Sequence, residues 1–338
     1  MKVKKARHPD KYLRHILRPG SLQAFDYTKD GSYEYFIRIT DQRTWKDPEE
    51  YASVIERACP DHTTQIAILI GIPEGAVLDG TIKPALIIVP GNFSLPRFWS
   101  AIQQSVQKQG YPVEVVGLQS SREQRVDPAP GLAEDVKEAT SVLNKHIDQG
   151  KDVVLLMHSY GGMVGTEATR GLSRIEREKA GLKGGIVRLV FLAAVFAPPG
   201  KSTRGLYKAN PGRYPSHDGD WLVCDEDTAM CFYSDLTKEQ GLHLAQAATK
   251  VSQAVRVFSD EQTYDGFHKL IPSSYILTLK DILVPEPAQR QFISRLEENG
   301  ERSVPVVEID TAHSPHQTDP PLLMKVLDKI LEVEEKEG

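Results

Sequence analysis

Three residues able to do acyl-transfer chemistry occur in a telling order: Ser159, then Asp281, then His313. A serine hydroxyl becomes a useful nucleophile only when a base removes its proton, and the base needs an acid to orient it. Each of the three follows a short apolar run. Ser159 follows residues 153–157 (VVLLM) and opens into Tyr160-Gly161-Gly162. Asp281 follows residues 275–279, and His313 lies just beyond residues 306–309. A serine at a sharp strand-to-helix turn is a nucleophile elbow, which lifts Oγ above the sheet and aims helix N–H groups at developing negative charge; enzymes built on it keep the chain order Ser, acid, His.

Each residue has a plainer reading. Ser159 could be a helix N-cap, Asp281 an Asx-turn, and His313 a solvated loop histidine. His316 is the rival base, and His313 is preferred because it lies nearer the strand end. Asp310 is a fallback acid, but its closeness to His313 in sequence makes the required orientation harder. The elbow also departs from the usual G-x-S-x-G, with Met157 at the first glycine position, so the elbow must open slightly or the neighbouring strand must carry small groups.

An oxyanion needs two N–H donors. One is expected from Tyr160, directly after the nucleophile. The other is expected from the turn Pro90-Gly91-Asn92-Phe93 after residues 84–89 (PALIIV). Pro90 has no N–H, and Gly91 allows close approach, so Asn92 is the candidate donor, with Phe93 behind it.

These residues require a scaffold of alternating strands and helices. Strands are expected over residues 33–40, 64–72, 84–89, 113–116, 153–157, 186–195, 275–279 and 306–309. Helices are expected over 47–59, 97–109, 132–148, 286–298 and 319–333, and from the elbow to about Arg170. This alternation predicts an α/β architecture with a mostly parallel, doubly wound sheet, its first strand antiparallel at the edge. A loop spans residues 119–130. Almost eighty residues separate the strands ending near Val195 and starting near Ser274, too many for a structureless loop. They are read as an inserted cap, residues 200–270, with a hairpin over 221–233 and a helix over 236–247. The expected organisation is an arm over 1–31, a core over 32–199 and 271–338, and the cap. The aromatic residues Tyr207, Tyr214, Trp221, Phe232 and Tyr233 could line a pocket or form the cap's own small core; Phe93, Trp221, Phe232 and Tyr233 are the candidate substrate contacts.

The chain has 338 residues, 40% hydrophobic and 26% charged, with a net charge of −5. That composition gives ample core and no electrostatic footprint for nucleic acid. Its three cysteines make no disulfide framework. Cys224 and Cys231 could face each other across a hairpin turning at Asp227-Thr228, but two reduced thiols of a cytoplasmic protein are favoured. No apolar run of membrane-spanning length occurs, and the basic N-terminus lacks the apolar core of a secretory signal. No H-E-x-x-H or phosphate-binding glycine motif is present, so neither a metal nor a cofactor is expected. The expected partner is a small-molecule ester or lactone.

Taken together, VPGNF (89–93), HSYGG (158–162), VFLAAVFAPPGKS (190–202), FYSDLT (232–237), LKDILVP (279–285) and DTAHSP (310–315) resemble the α/β-hydrolase superfamily. Within it they resemble the esterase and methylesterase branch that also contains plant hydroxynitrile lyases. The resemblance covers residues 84–333. It implies the triad Ser159, Asp281 and His313, and a cap above the pocket. Pro90 stands where that family usually has His, and Met157 where it usually has Gly. Hydroxynitrile lyases rely on a lysine near the catalytic histidine; here Ser314-Pro315 follow His313, which disfavours lysis. A non-catalytic receptor on the same fold is the third reading, and the complete triad argues against it.

Overall fold

The computed structural model describes residues 22–24, 35–39, 66–70, 83–206 and 214–337. The chain divides into two units, residues 1–80 and 81–338. In the first, strands β1 (Leu22–Ala24), β2 (Tyr35–Ile39) and β3 (Ile66–Ile70) form one sheet. β2 pairs antiparallel with β1 and parallel with β3. The strand expected over 33–40 is present as β2, but it is the middle strand of this sheet and not an edge strand of the six-stranded one. The helix expected over 47–59 and most of the expected arm over 1–31 lie outside the described residues.

The second unit holds a six-stranded sheet in the order β13-β12-β8-β7-β4-β5. Its strands are β4 (Ala85–Val89), β5 (Val113–Val115), β7 (Asp152–His158), β8 (Gly185–Leu192), β12 (Ser273–Thr278) and β13 (Val306–Ile309). Every pairing is parallel. β4 and β7 are almost uninterrupted runs of apolar residues because both faces of the sheet are covered. Successive side chains point to opposite faces. Ile87, Val89, Leu155 and Met157 pack on one side with the helices Leu132–Ile147, Gly161–Ala168 and Glu286–Gly300. Leu86, Ile88, Val154 and Leu156 pack on the other with Ser100–Lys108 and Pro320–Glu337.

After β4 the chain runs outward to β5, then returns to place β7 on β4's other side. The β4/β7 boundary is thus a topological switch point, where two loops diverge at the carboxyl ends of adjacent strands and leave a crevice.

The long interval before β12 is structured. Strands β9 (Ser216–Asp218), β10 (Trp221–Val223) and β11 (Ser252–Ala254) join β6 (Ser121–Arg122) in an antiparallel sheet of order β6-β11-β10-β9. Two expectations need correction here. The hairpin lies over 216–223 and not 221–233: after Val223, Asp225 accepts a hydrogen bond from the Thr228 amide and caps a short helix, Glu226–Ala229. Asp227-Thr228 is therefore helical, not a turn. The loop expected over 119–130 contributes β6, a strand too short to announce itself in sequence. Leu222, Cys224, Ala229, Ala245 and Ala248 bury one another around Phe93, so the interval has a small core that reaches the loop after β4.

Candidate active site

Ser159 sits at the end of β7, immediately before the helix Gly161–Ala168. Its φ is +54°, a left-handed conformation uncommon outside glycine. The turn is locked on both sides of the residue. The Ser159 amide donates to the Leu192 carbonyl, and its own carbonyl accepts from the amides of Gly162 and Val195. Gly91, on the neighbouring loop, lies so close that a Cβ there would come within 2.7 Å of Ser159 Cβ. The loop thus reaches Ser159 through a residue without a side chain.

Asp281 and His313 form a buried ion-pair-like contact, with His313 Nδ1 donating to Asp281 Oδ2 at 2.7 Å. Asp281 is saturated. Its Oδ1 accepts from the amides of Leu283 and Val284, and its Oδ2 also accepts from Thr278 Oγ1. Gln289, on the helix behind, donates to the carbonyls of Thr278 and Val284 and accepts from the Thr278 amide, fastening both ends of that turn. On the other loop, Asp235 Oδ2 accepts from the Ala312 amide and from Thr318 Oγ1, and His158 Nε2 donates to the His313 carbonyl. Four side chains therefore fix the acid and the imidazole before any ligand arrives.

The rivals are placed elsewhere. His316 is buried and stacked on Trp99, ring centroids 3.8 Å apart and planes 5° apart, with neither ring nitrogen hydrogen-bonded. Burial and the nearby His313 hold it down to about 3, so it stays neutral. Burial, reinforced by His313 and His316, also holds His158 well below the usual imidazole range. Asp310 faces outward and pairs with Lys280 at 2.7 Å.

Ser159 and His313 line one cavity of about 340 Å³ together with Asn92, Phe93, Phe232, Leu222, Phe258 and Val284. Arg204, Tyr214 and His217 also contribute to its wall. That size suits a small molecule. Ser159 Oγ is not hydrogen-bonded to His313 here; such catalytic contacts are often long without substrate and tighten when it binds. The amides of Asn92 and Tyr160 have no acceptor among the described residues, whereas the Phe93 amide is committed to Gln253 Oε1 at 3.1 Å.

Of the expected substrate contacts, Phe93 and Phe232 line the cavity and touch each other, centroids 5.8 Å apart. Trp221 and Tyr233 do not. Trp221 is buried between Ala129 and Ala254, because β10 turns it toward the loop before the helix Leu132–Ile147. Tyr233 is buried with its hydroxyl donating to Gln317. Tyr207 lies outside the described residues. No disulfide joins Cys224 and Cys231; burial, with Asp225 and Cys231 nearby, raises Cys224 to about 12. Among the described residues no cluster of His, Cys, Asp or Glu could hold a metal ion, and no helix is long and apolar enough to cross a membrane.

The alpha/beta hydrolase family model matches residues 86–325, from within β4 to beyond β13. The chain belongs to that family. This hydrolase is 28% identical over 249 residues to the alpha/beta hydrolase nvfD of Aspergillus novofumigatus, covering 73% of the chain and 96% of that relative. It is likewise 28% identical over 252 residues to the probable hydrolase R7 of a Phoma species, covering 72% and 97%. Among solved structures it shares the fold of polyneuridine aldehyde esterase, with TM-score 0.56 and 19% identity over 74% of this chain and 99% of the other. A pyrethroid hydrolase from Sphingobium faniae JZ-2 gives TM-score 0.54 at 19% identity, over 74% and 97%.

Proposed function

We propose that this hydrolase cleaves a carboxylic ester or lactone of small-molecule size through an acyl-enzyme on Ser159. The observation that carries this reading is the buried His313–Asp281 contact facing the same cavity as a serine held at positive φ. Asp281 holds the His313 Nδ1–H, which leaves the Nε2 lone pair as the base. Nε2 takes the Ser159 proton as Oγ attacks the carbonyl carbon. The oxygen that becomes negative is received by the amides of Asn92 and Tyr160, which have no acceptor among the described residues. His313 then protonates the leaving alkoxide, and the alcohol departs, or in a lactone stays tethered to the acyl chain. Water, deprotonated by the same imidazole, releases the acid and restores Ser159.

The interval over 200–270 acts as the cap. It contributes Leu222, Phe232 and Phe258 to the cavity wall, and these supply apolar contact for the group beside the scissile bond. The hydrolase named for pyrethroids and the esterase named for polyneuridine aldehyde agree with this reading at the level of fold.

A fluorophosphonate probe, followed by peptide mapping and a panel of acetyl esters, methyl esters and lactones, tests it. Labelling at Ser159 with turnover of at least one ester class is the expected result. Absence of both in folded protein would point instead to a receptor on the same fold.

A further inference from the structure

Between the two proposed oxyanion donors runs a buried polar chain. Gln253, on β11, accepts the Phe93 amide on Oε1 at 3.1 Å, and the same oxygen accepts from Ser121 Oγ at 2.5 Å. Gln253 Nε2 donates to Ser120 Oγ at 3.0 Å. Ser120 Oγ and the Ser120 amide donate to the two oxygens of Asp135, at 2.5 and 2.9 Å. Tyr160 Oη closes the chain by donating to Asp135 Oδ2 at 3.1 Å. Every member is buried.

This chain touches both halves of the proposed hole. Phe93 follows Asn92 and has φ +55°, a conformation its own sequence does not favour. Its amide direction therefore needs an external acceptor, and the direction of the Asn92 amide depends on how that turn is held. Tyr160 is the other donor residue, and its side chain is the far end of the same chain. The carboxylate in the middle is expensive to bury, and burial pushes Asp135 up to about 6. A fully satisfied buried network of this kind specifies one arrangement of the groups it joins.

We infer that Gln253, acting with Ser120 and Asp135, is a positioning device that presets the Asn92 and Tyr160 amides for the oxyanion, so that the inserted segment takes part in the chemistry as well as in enclosing the substrate. The inference rests on the ester-hydrolase reading above. Gln253 touches no reacting atom. It acts through the turn after β4, while Asp135 acts through the Tyr160 ring.

Gln253→Met keeps the length of the side chain and removes the acceptor. The expected result is a kcat loss on the order of 10²-fold, as a misplacement of about 1 Å produces, with KM within about twofold. Phenylboronic acid, whose tetrahedral adduct on Ser159 places an oxygen in the hole, should lose affinity in parallel with kcat. Ser120→Ala, which cuts the link to Asp135 but leaves the backbone bond, should show the same pattern more weakly, and serves if Gln253→Met does not fold. A purely architectural role would lower the melting temperature without this split. Folded variants with kcat and boronate affinity within twofold of the parent overturn the inference. If the parent itself cleaves no ester and binds no boronate, the hydrolase reading has failed. Hydrogen–deuterium exchange of the segment holding Asn92 and Phe93 then decides separately: faster exchange in Gln253→Met supports the positioning device, and unchanged exchange overturns it.

Discussion

Met157 of β7 and Gly165 of the following helix share one space: a Cβ placed on Gly165 would lie 2.5 Å from Met157 Sδ and 2.6 Å from its Cγ. The turn thus tolerates a large residue two positions before Ser159 because the small residue stands on the helix and not on the neighbouring strand. Gly to Ala in a helix interior ordinarily stabilises by about 0.5–1 kcal/mol. Here the sign should reverse, with Gly165→Ala costing about 1–3 kcal/mol through overpacking. Met157→Ala alone leaves a cavity and also destabilises. The double variant should recover part of the loss, with a coupling of about 0.5–3 kcal/mol. Urea midpoints of the four proteins test this, and a higher midpoint for Gly165→Ala would show that the two side chains do not compete.

The proposed base is separable from its neighbour. Ser159→Ala and His313→Ala should each remove essentially all ester turnover while the protein stays folded. His316→Ala, which empties the face of Trp99, should lower stability but leave turnover measurable. Activity should rise with pH as one imidazole loses its proton. That limb does not belong to His316, which burial holds down to about 3. A pH–rate profile whose acid limb vanished in His316→Ala would reassign the base.

The order of the chain disclosed the strands and the three loop residues because both depend on local pattern. Apolar runs marked β4, β7, β8, β12 and β13, and Ser159, Asp281 and His313 stand just past β7, β12 and β13 respectively. What holds those residues was not legible. Gln253 is 160 positions from the Phe93 amide it accepts, and Asp235 is 77 from the Ala312 amide. Nothing local in a strand of three residues, Ser252–Ala254, marks one glutamine as an acceptor for a distant loop. The misplaced hairpin has a local cause. Residues 221–224 and 229–233 are apolar runs flanking a polar stretch, 225–228, which reads as strand, turn, strand; yet Asp225 caps a helix after Val223, and Ser216–Asp218 pairs with β10. The signal for that pairing was Gly219, whose φ of +61° makes the turn.

Specificity should follow the cavity wall rather than aromatic content. Phe232→Ala removes a ring that faces the cavity and Phe93, so it should raise KM for bulky apolar esters more than for acetyl esters, by about 1–3 kcal/mol of discrimination. Trp221→Ala acts elsewhere, in the packing with Ala129 and Ala254, and should cost about 3–5 kcal/mol of stability while leaving the ester ranking unchanged. An ester panel and melting curves on both variants check the contrast. A changed ranking in Trp221→Ala, or an unchanged one in Phe232→Ala, would place the specificity contacts elsewhere.

Acid should expose two opposing terms in the stability. His158 and His316 are buried, and both are held below the ordinary imidazole value of 6.5, His316 down to about 3. Below that ordinary value the unfolded chain takes up protons that the folded chain refuses. Each histidine therefore withdraws about 1.4 kcal/mol of stability per pH unit as pH falls. Asp135 works in reverse. Its carboxyl is raised to about 6 from 3.8, so between these values the folded chain binds a proton first and gains a similar amount as pH falls. Burial also holds His268 down to about 4, so three histidines against one aspartate leave a net loss, and the parent should destabilise from pH 6.5 toward 4.5. His316→Phe, which keeps a ring against Trp99 and removes one titrating group, should flatten the slope of stability against pH. Asp135→Asn, which removes the compensating group and keeps an acceptor for the Ser120 amide, should steepen it. Urea midpoints collected every half pH unit measure all three slopes, and a steeper slope for His316→Phe or a flatter one for Asp135→Asn would contradict the assigned protonation states.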